Sequence, residues 1–135
     1  MDCGDFTATY IIKSSDNTLA FFKTRGLPDK MTANVAACKF RLVISKLGSQ
    51  WTISRVLINV IKHTIKFELD KEFDEIKPDG HVSRCIMLAG NGGKQLIQKI
   101  FAEREVKVIY DFNDSEAVMT ATVDGVTGKW FLVKD

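Results

Sequence analysis

The side chains that could do chemistry are few, and their spacing decides what each permits. Asp74 and Glu75 are adjacent in a stretch that reads as strand. They therefore point to opposite faces, which is wrong for two carboxylates sharing acid–base work. His63 and His81 are far apart, and none of Cys3, Cys38 and Cys85 stands at ligand spacing from either, so no metal site is expected. Gly90-Asn91-Gly92-Gly93 has the composition of a phosphate cradle, but such a loop should open a helix, and residues 94–101 read as another strand. A hairpin turn is the expectation there. No Gly-x-Ser-x-Gly elbow is present and nothing else assembles a nucleophile with a base, so the reading is against an enzyme and implies no cofactor. What remains are single cations on apolar faces. Arg55 shares a face with Trp51, Ile53 and Leu57, and Lys99 shares one with Ile97 and Phe101. Either could face inward and hold an acid, or be turned to solvent by a bulge or a frayed strand end.

The elements that must position these residues are mostly strands. At 135 residues the chain is expected to be one domain over residues 1–135. A net charge of +2 with 27% charged and 45% hydrophobic residues excludes a disordered chain or a strongly basic nucleic-acid arm. There is no apolar run of membrane-spanning length and no signal-peptide pattern at the start, so a cytoplasmic protein with reduced thiols is expected. Residues 6–13 alternate with Phe6, Ala8, Tyr10 and Ile12 on one face, and alternation returns from Phe40 onward. Turn clusters follow at Leu47-Gly48-Ser49, Asp70-Lys71, Lys77-Pro78-Asp79-Gly80, Gly90 to Gly93, Asn113-Asp114-Ser115 and Asp124-Gly125. A break or bulge is expected near residues 57–61, where alternation fails. About ten short antiparallel strands result, and such a meander hides its edges best as a barrel.

Residues 14–39 are the exception to the strand pattern. Ser14-Ser15-Asp16-Asn17 offers capping side chains before Leu19, Ala20, Phe21 and Phe22, and Gly26-Leu27-Pro28 ends one short helix and starts a second that carries Met31, Val35 and Ala36 on one face. Two such helices must cover something else, and the expectation is a lid over about residues 15–38. A lidded barrel of about ten strands has an interior suited to a lipid-sized guest.

On these residues the chain resembles the intracellular lipid-binding proteins, the family of fatty-acid-binding and cellular retinoid-binding proteins. Residues 6–45 lie against the family pattern without a gap, with Tyr10 where the family usually has Trp and with Thr18-Leu19 departing from it after Asn17. The run from Phe67 through Asp70-Lys71-Glu72-Phe73-Asp74-Glu75, then Asp79-Gly80, and the tail Asp124-Gly125-Val126-Thr127 complete the match. The resemblance implies a ten-stranded antiparallel up-and-down barrel, all β, capped by a helix-turn-helix lid, carrying a long-chain fatty acid or similar hydrophobic ligand. Many members hold a carboxylate with two arginines and a tyrosine; the matching positions here are Tyr110, Trp130 and Leu132, none of them cationic.

The candidate ligand contacts are thus Tyr110, Trp130 and Leu132 with Met119 from the last strands, and Phe22 and Val35 from the lid. Arg55, Asp79 and Lys99 complete the set. If Tyr110 is the inner polar contact with no cation near, a neutral alcohol should bind at least as well as the acid; if Arg55 or Lys99 points inward, the acid should win. Lys23, Arg25, Lys30, Lys39 and Arg41 against Asp29 give the lid region a positive excess, read either as a solvated face or as a transient contact with anionic membrane. The expected partner is therefore a lipid, held by a monomer without nucleic acid. The alternatives are a membrane-surface interaction protein of the same fold, a carrier of a neutral lipid such as a retinoid, alcohol or monoglyceride, and an isomerase acting on a bound lipid.

Overall fold

The computed structural model describes residues 7–25, 40–57, 61–76, 82–102 and 104–135. They form one α-helix and ten strands. The first part comprises β1 (Ala8–Asp16), α1 (Thr18–Arg25), β2 (Phe40–Leu47), β3 (Gln50–Leu57) and β4 (Ile61–Phe67). The second comprises β5 (Glu72–Ile76), β6 (Val82–Gly90), β7 (Gln95–Phe101), β8 (Val106–Phe112), β9 (Glu116–Val123) and β10 (Val126–Lys134).

All ten strands belong to one antiparallel sheet in the order β4-β3-β2-β1-β10-β9-β8-β7-β6-β5, so the first and last strands pair and the sheet curls until β4 approaches β5. Among the described residues no backbone ladder joins β4 to β5; side chains bridge them. Phe67 stacks on Phe73 with ring centroids 5.5 Å apart, and His63 Nε2 lies 3.6 Å from Glu75 Oε2. The result is a nearly closed barrel, as the sequence pattern predicts. Alternate residues turn inward and make the core, among them Tyr10, Leu42, Ile53, Met87, Leu96 and Leu132.

The turn residues sit where their backbone geometry is needed. Asp124 (φ 47°) and Gly125 (φ 79°) are both left-handed between paired Val123 and Val126, the two-residue hairpin loop whose twist matches the strands. Asn113 closes the β8–β9 turn, its Oδ1 accepting from the N–H groups of Ser115 (3.0 Å) and Glu116 (2.7 Å). Gly90 to Gly93 links β6 to β7 as a hairpin, and Gly92 (φ 66°) and Gly93 (φ 91°) supply its positive backbone angles.

The start of the helix differs from expectation. Ser14, Ser15 and Asp16 do not cap it: after a bulge at Lys13 they continue the ladder opposite Phe131, Trp130 and Lys129. β10 is long enough to keep pairing them, so their backbone groups stay in the ladder. Only Asn17 borders the helix, turning the chain at φ 57°, accepting from the Phe21 N–H (3.2 Å) and donating from Nδ2 to the Thr127 carbonyl (2.9 Å). At eight residues α1 is too short to persist alone. It is held by Phe21, buried edge-on against Trp130 with centroids 6.0 Å apart, and by Arg104, which donates to the Thr24 carbonyl. Gly128 permits this seating, because a Cβ there would lie 3.0 Å from Phe21 Cβ and 3.4 Å from Thr18 Cα. The expected second lid helix with Val35, the break near residues 58–60 and the turn carrying Asp79 lie outside the described residues.

Candidate functional site

Strand register brings three of the expected contacts side by side. Tyr110 on β8 stands opposite Met119 on β9, and Met119 opposite Trp130 on β10; all three are buried. Phe22 from α1 reaches this row, its ring centroid 5.9 Å from that of Trp130, while Leu132 faces Ala117 and Ile12 one step along the barrel. Phe21, not Phe22, is the more buried of the two helix aromatics.

The two cations separate. In β3, Trp51 and Ile53 are buried, and Arg55 continues their face between Leu42 and His63 on the flanking strands. Arg55 therefore points inward. In β7 the buried residues are Leu96, Gln98 and Ile100, so Lys99 lies on the outer face with Ile97 and half-exposed Phe101. Lys99 is corrected from a candidate contact to an outward-facing side chain, and the outer face it shares is itself apolar.

β3 and β8 are five places apart in the ring of ten strands, so Arg55 and Tyr110 stand on opposite walls. Burial pushes the Tyr110 phenol above its ordinary value, the positive Arg55 across the interior draws it back, and Glu75 and Cys85 push it up again. All four groups thus share one interior field. Tyr110 is 1% exposed and its hydroxyl has no hydrogen-bond partner among the described residues. Nor does any carboxylate among them lie within ion-pair distance of Arg55, because Glu75 is engaged elsewhere: it accepts from Gln98 Nε2 at 2.7 Å and stands beside His63.

A raised folded-state value means that the neutral phenol is favoured in the fold. Its stabilising effect is complete below the ordinary phenol value of about 10 and fades as pH rises beyond it. Tyr110 is accordingly expected to titrate above the ordinary phenol range while the barrel is folded. Phenolate absorbance followed with pH, in the unmodified protein and in Tyr110→Phe, checks this; a phenol titrating at its ordinary value in the folded protein contradicts it.

Sequence reasoning missed Glu75, His63, Gln98 and Cys85 as a group. Each lies on an inward face, on β5, β4, β7 and β6, and with Arg55 and Tyr110 they make a row of polar or ionisable side chains drawn from six strands, β3 to β8. Parity offered a signal in β5, where Glu75 falls two after Phe73; in β7, apolar on both faces, it does not single out Gln98. No cluster of metal-ligating side chains occurs among the described residues.

No protein-family profile matches the chain. The fatty acid-binding protein of Lepidoglyphus destructor is 30% identical over 118 residues, which cover 87% of this chain and 88% of that protein. The fatty acid-binding protein of Tyrophagus putrescentiae is 30% identical over 125 residues, 91% of this chain and 92% of that one. The chain belongs to the fatty acid-binding protein family. In fold it also matches the solved fatty acid binding protein of Schistosoma mansoni in complex with arachidonic acid, with a TM-score of 0.88 at 17% identity over 96% of both chains. Three positions of this fatty acid-binding protein are those where the resemblance implies a head-group clamp. Tyr110, Trp130 and Leu132 all face inward there, and none carries a charge. Among the described inward-facing residues that are buried or half-buried the permanent cation is Arg55, from the opposite wall; Lys46 shares the inward parity of β2 but is exposed, its Nζ 5.1 Å from the Trp51 ring centroid.

Proposed function

We propose that this fatty acid-binding protein is a cytoplasmic carrier, not an enzyme, that shelters one long-chain fatty acid in the barrel with its carboxylate between Arg55 and Tyr110. One observation supports this most. An inward cation with no carboxylate partner among the described residues faces, across the interior, a buried hydroxyl with no partner among them. An uncompensated cation beside apolar walls is costly, and a carboxylate that accepts from both the guanidinium and the phenol relieves both groups at once. The acyl chain then lies against the apolar strands and the Trp130–Phe22 pair. The relatives named as fatty acid-binding proteins, and the fold match solved with arachidonic acid, point to the same ligand class. No described helix is long and apolar enough to cross a membrane.

The test is displacement of an environment-sensitive apolar dye. A long-chain fatty acid is expected to displace it one for one. If fatty acids, fatty alcohols, monoglycerides and retinoids all leave the dye in place, the carrier reading fails, and vesicle aggregation becomes the activity to measure.

A further inference from the structure

Gln98 is fully buried, on the inward face of β7. Its Nε2 donates to Glu75 Oε1 at 2.7 Å and lies 3.6 Å from Cys85 Sγ. A carboxylate only accepts, so Glu75 fixes which way the amide is turned: nitrogen toward β5, oxygen away from it. That oxygen, Gln98 Oε1, accepts no hydrogen bond among the described residues although it is buried. Tyr110 is the second such orphan, and the two are close. Gln98 pairs with Val108 and Leu96 pairs with Tyr110, so Gln98 and Tyr110 are diagonal inward neighbours on adjacent strands, a separation of about 7–8 Å at the backbone that long side chains can close.

The two orphans differ in chemistry. Tyr110 can donate to a carboxylate, but Gln98 Oε1 can only accept, and a bare carboxylate offers it nothing. We propose that Gln98 Oε1 is a hydroxyl-reading subsite and that the ligand class it selects is a long-chain fatty acid with a hydroxyl on one of the first few carbons after the carboxyl. The inference rests on the carboxylate being held between Arg55 and Tyr110, as argued above. The hydroxyl donates to Gln98 Oε1, and Glu75 holds the amide in the orientation that makes this possible.

The experiment titrates the unmodified protein with palmitic acid, with its 2-, 3- and 4-hydroxy derivatives and with 16-hydroxypalmitic acid. One of the first three is expected to bind roughly two- to tenfold more tightly than palmitic acid, the usual worth of one neutral hydrogen bond, and the far-end hydroxyl is expected to bring no gain. In the double variant Gln98→Met/Glu75→Met, which removes the amide together with the carboxylate it serves, the ratio of hydroxylated to plain affinity should fall to about one. A ratio of about one in the unmodified protein for every hydroxyl position, or a gain that persists in the double variant, overturns the subsite while leaving the carrier reading standing. Failure of all five acids to bind overturns both.

Discussion

Replacing Arg55 with Met is expected to weaken binding of a long-chain fatty acid by roughly 10- to 100-fold at neutral pH, the worth of a hydrogen bond to a charged group. Met keeps much of the apolar stem that packs between Leu42 and His63, so the change isolates the charge. The alcohol of equal chain length should bind Arg55→Met about as well as the unmodified protein, since it has no charge to lose. The order of acid and alcohol therefore inverts. Lys99→Met is the control, because Lys99 faces outward, and both affinities should stay where they were. An acid preference that survives in Arg55→Met and vanishes in Lys99→Met would reverse the assignment of the two cations.

The second large effect concerns how the helix is held. Phe21 is 3% exposed and meets Trp130 edge-on, so Phe21→Ala is expected to cost about 3–5 kcal/mol in stability by leaving a cavity between α1 and β10. Phe22 is half-buried beside the same Trp130 ring. Phe22→Ala should cost only about 1–2 kcal/mol while weakening ligand binding and quickening release, because it removes cover without removing the anchor. Chemical denaturation of both variants, with dissociation rates measured by stopped flow, separates the two roles. A loss in Phe22→Ala as large as in Phe21→Ala, with release unchanged, would make both residues plain core.

How much of this was legible in the sequence follows from how local each determinant is. The hairpins were readable because their turn residues act on their own neighbours: Asp124-Gly125 needs only its two left-handed conformations to join β9 to β10. On parity alone Arg55 and Lys99 both stay open between interior and solvent; in the fold Arg55 continues the buried face of Trp51 and Ile53. Parity could not decide Lys99, because β7 is apolar on both sides. Leu96 and Ile100 turn inward, Ile97 and Phe101 outward, and no count of periods within that strand chooses between them. The polar residue on the inward side is Gln98, and its reason for being there is Glu75, a partner 23 positions away. Likewise His63 meets Glu75 only because the sheet curls until β4 and β5 approach, a property of all ten strands together. Ser14 to Asp16 look like caps in isolation, and their ladder with β10 spans the whole chain.

The claim on which the account turns is that the carboxylate is ionised inside the barrel and held by Arg55. The most direct measurement is the carboxyl carbon resonance of bound palmitic acid labelled at C1, followed with pH. A carboxylate paired with a guanidinium and a phenol is stabilised in its charged form, so its pKa falls below the ordinary range, whereas an unpaired one in an apolar interior rises above it. The predicted result is a resonance at the ionised position that stays flat from about pH 8 down to about pH 5, and that in Arg55→Met moves to the protonated position within the same range. A bound acid already protonated at neutral pH in the unmodified protein, or an identical titration in both proteins, contradicts the account.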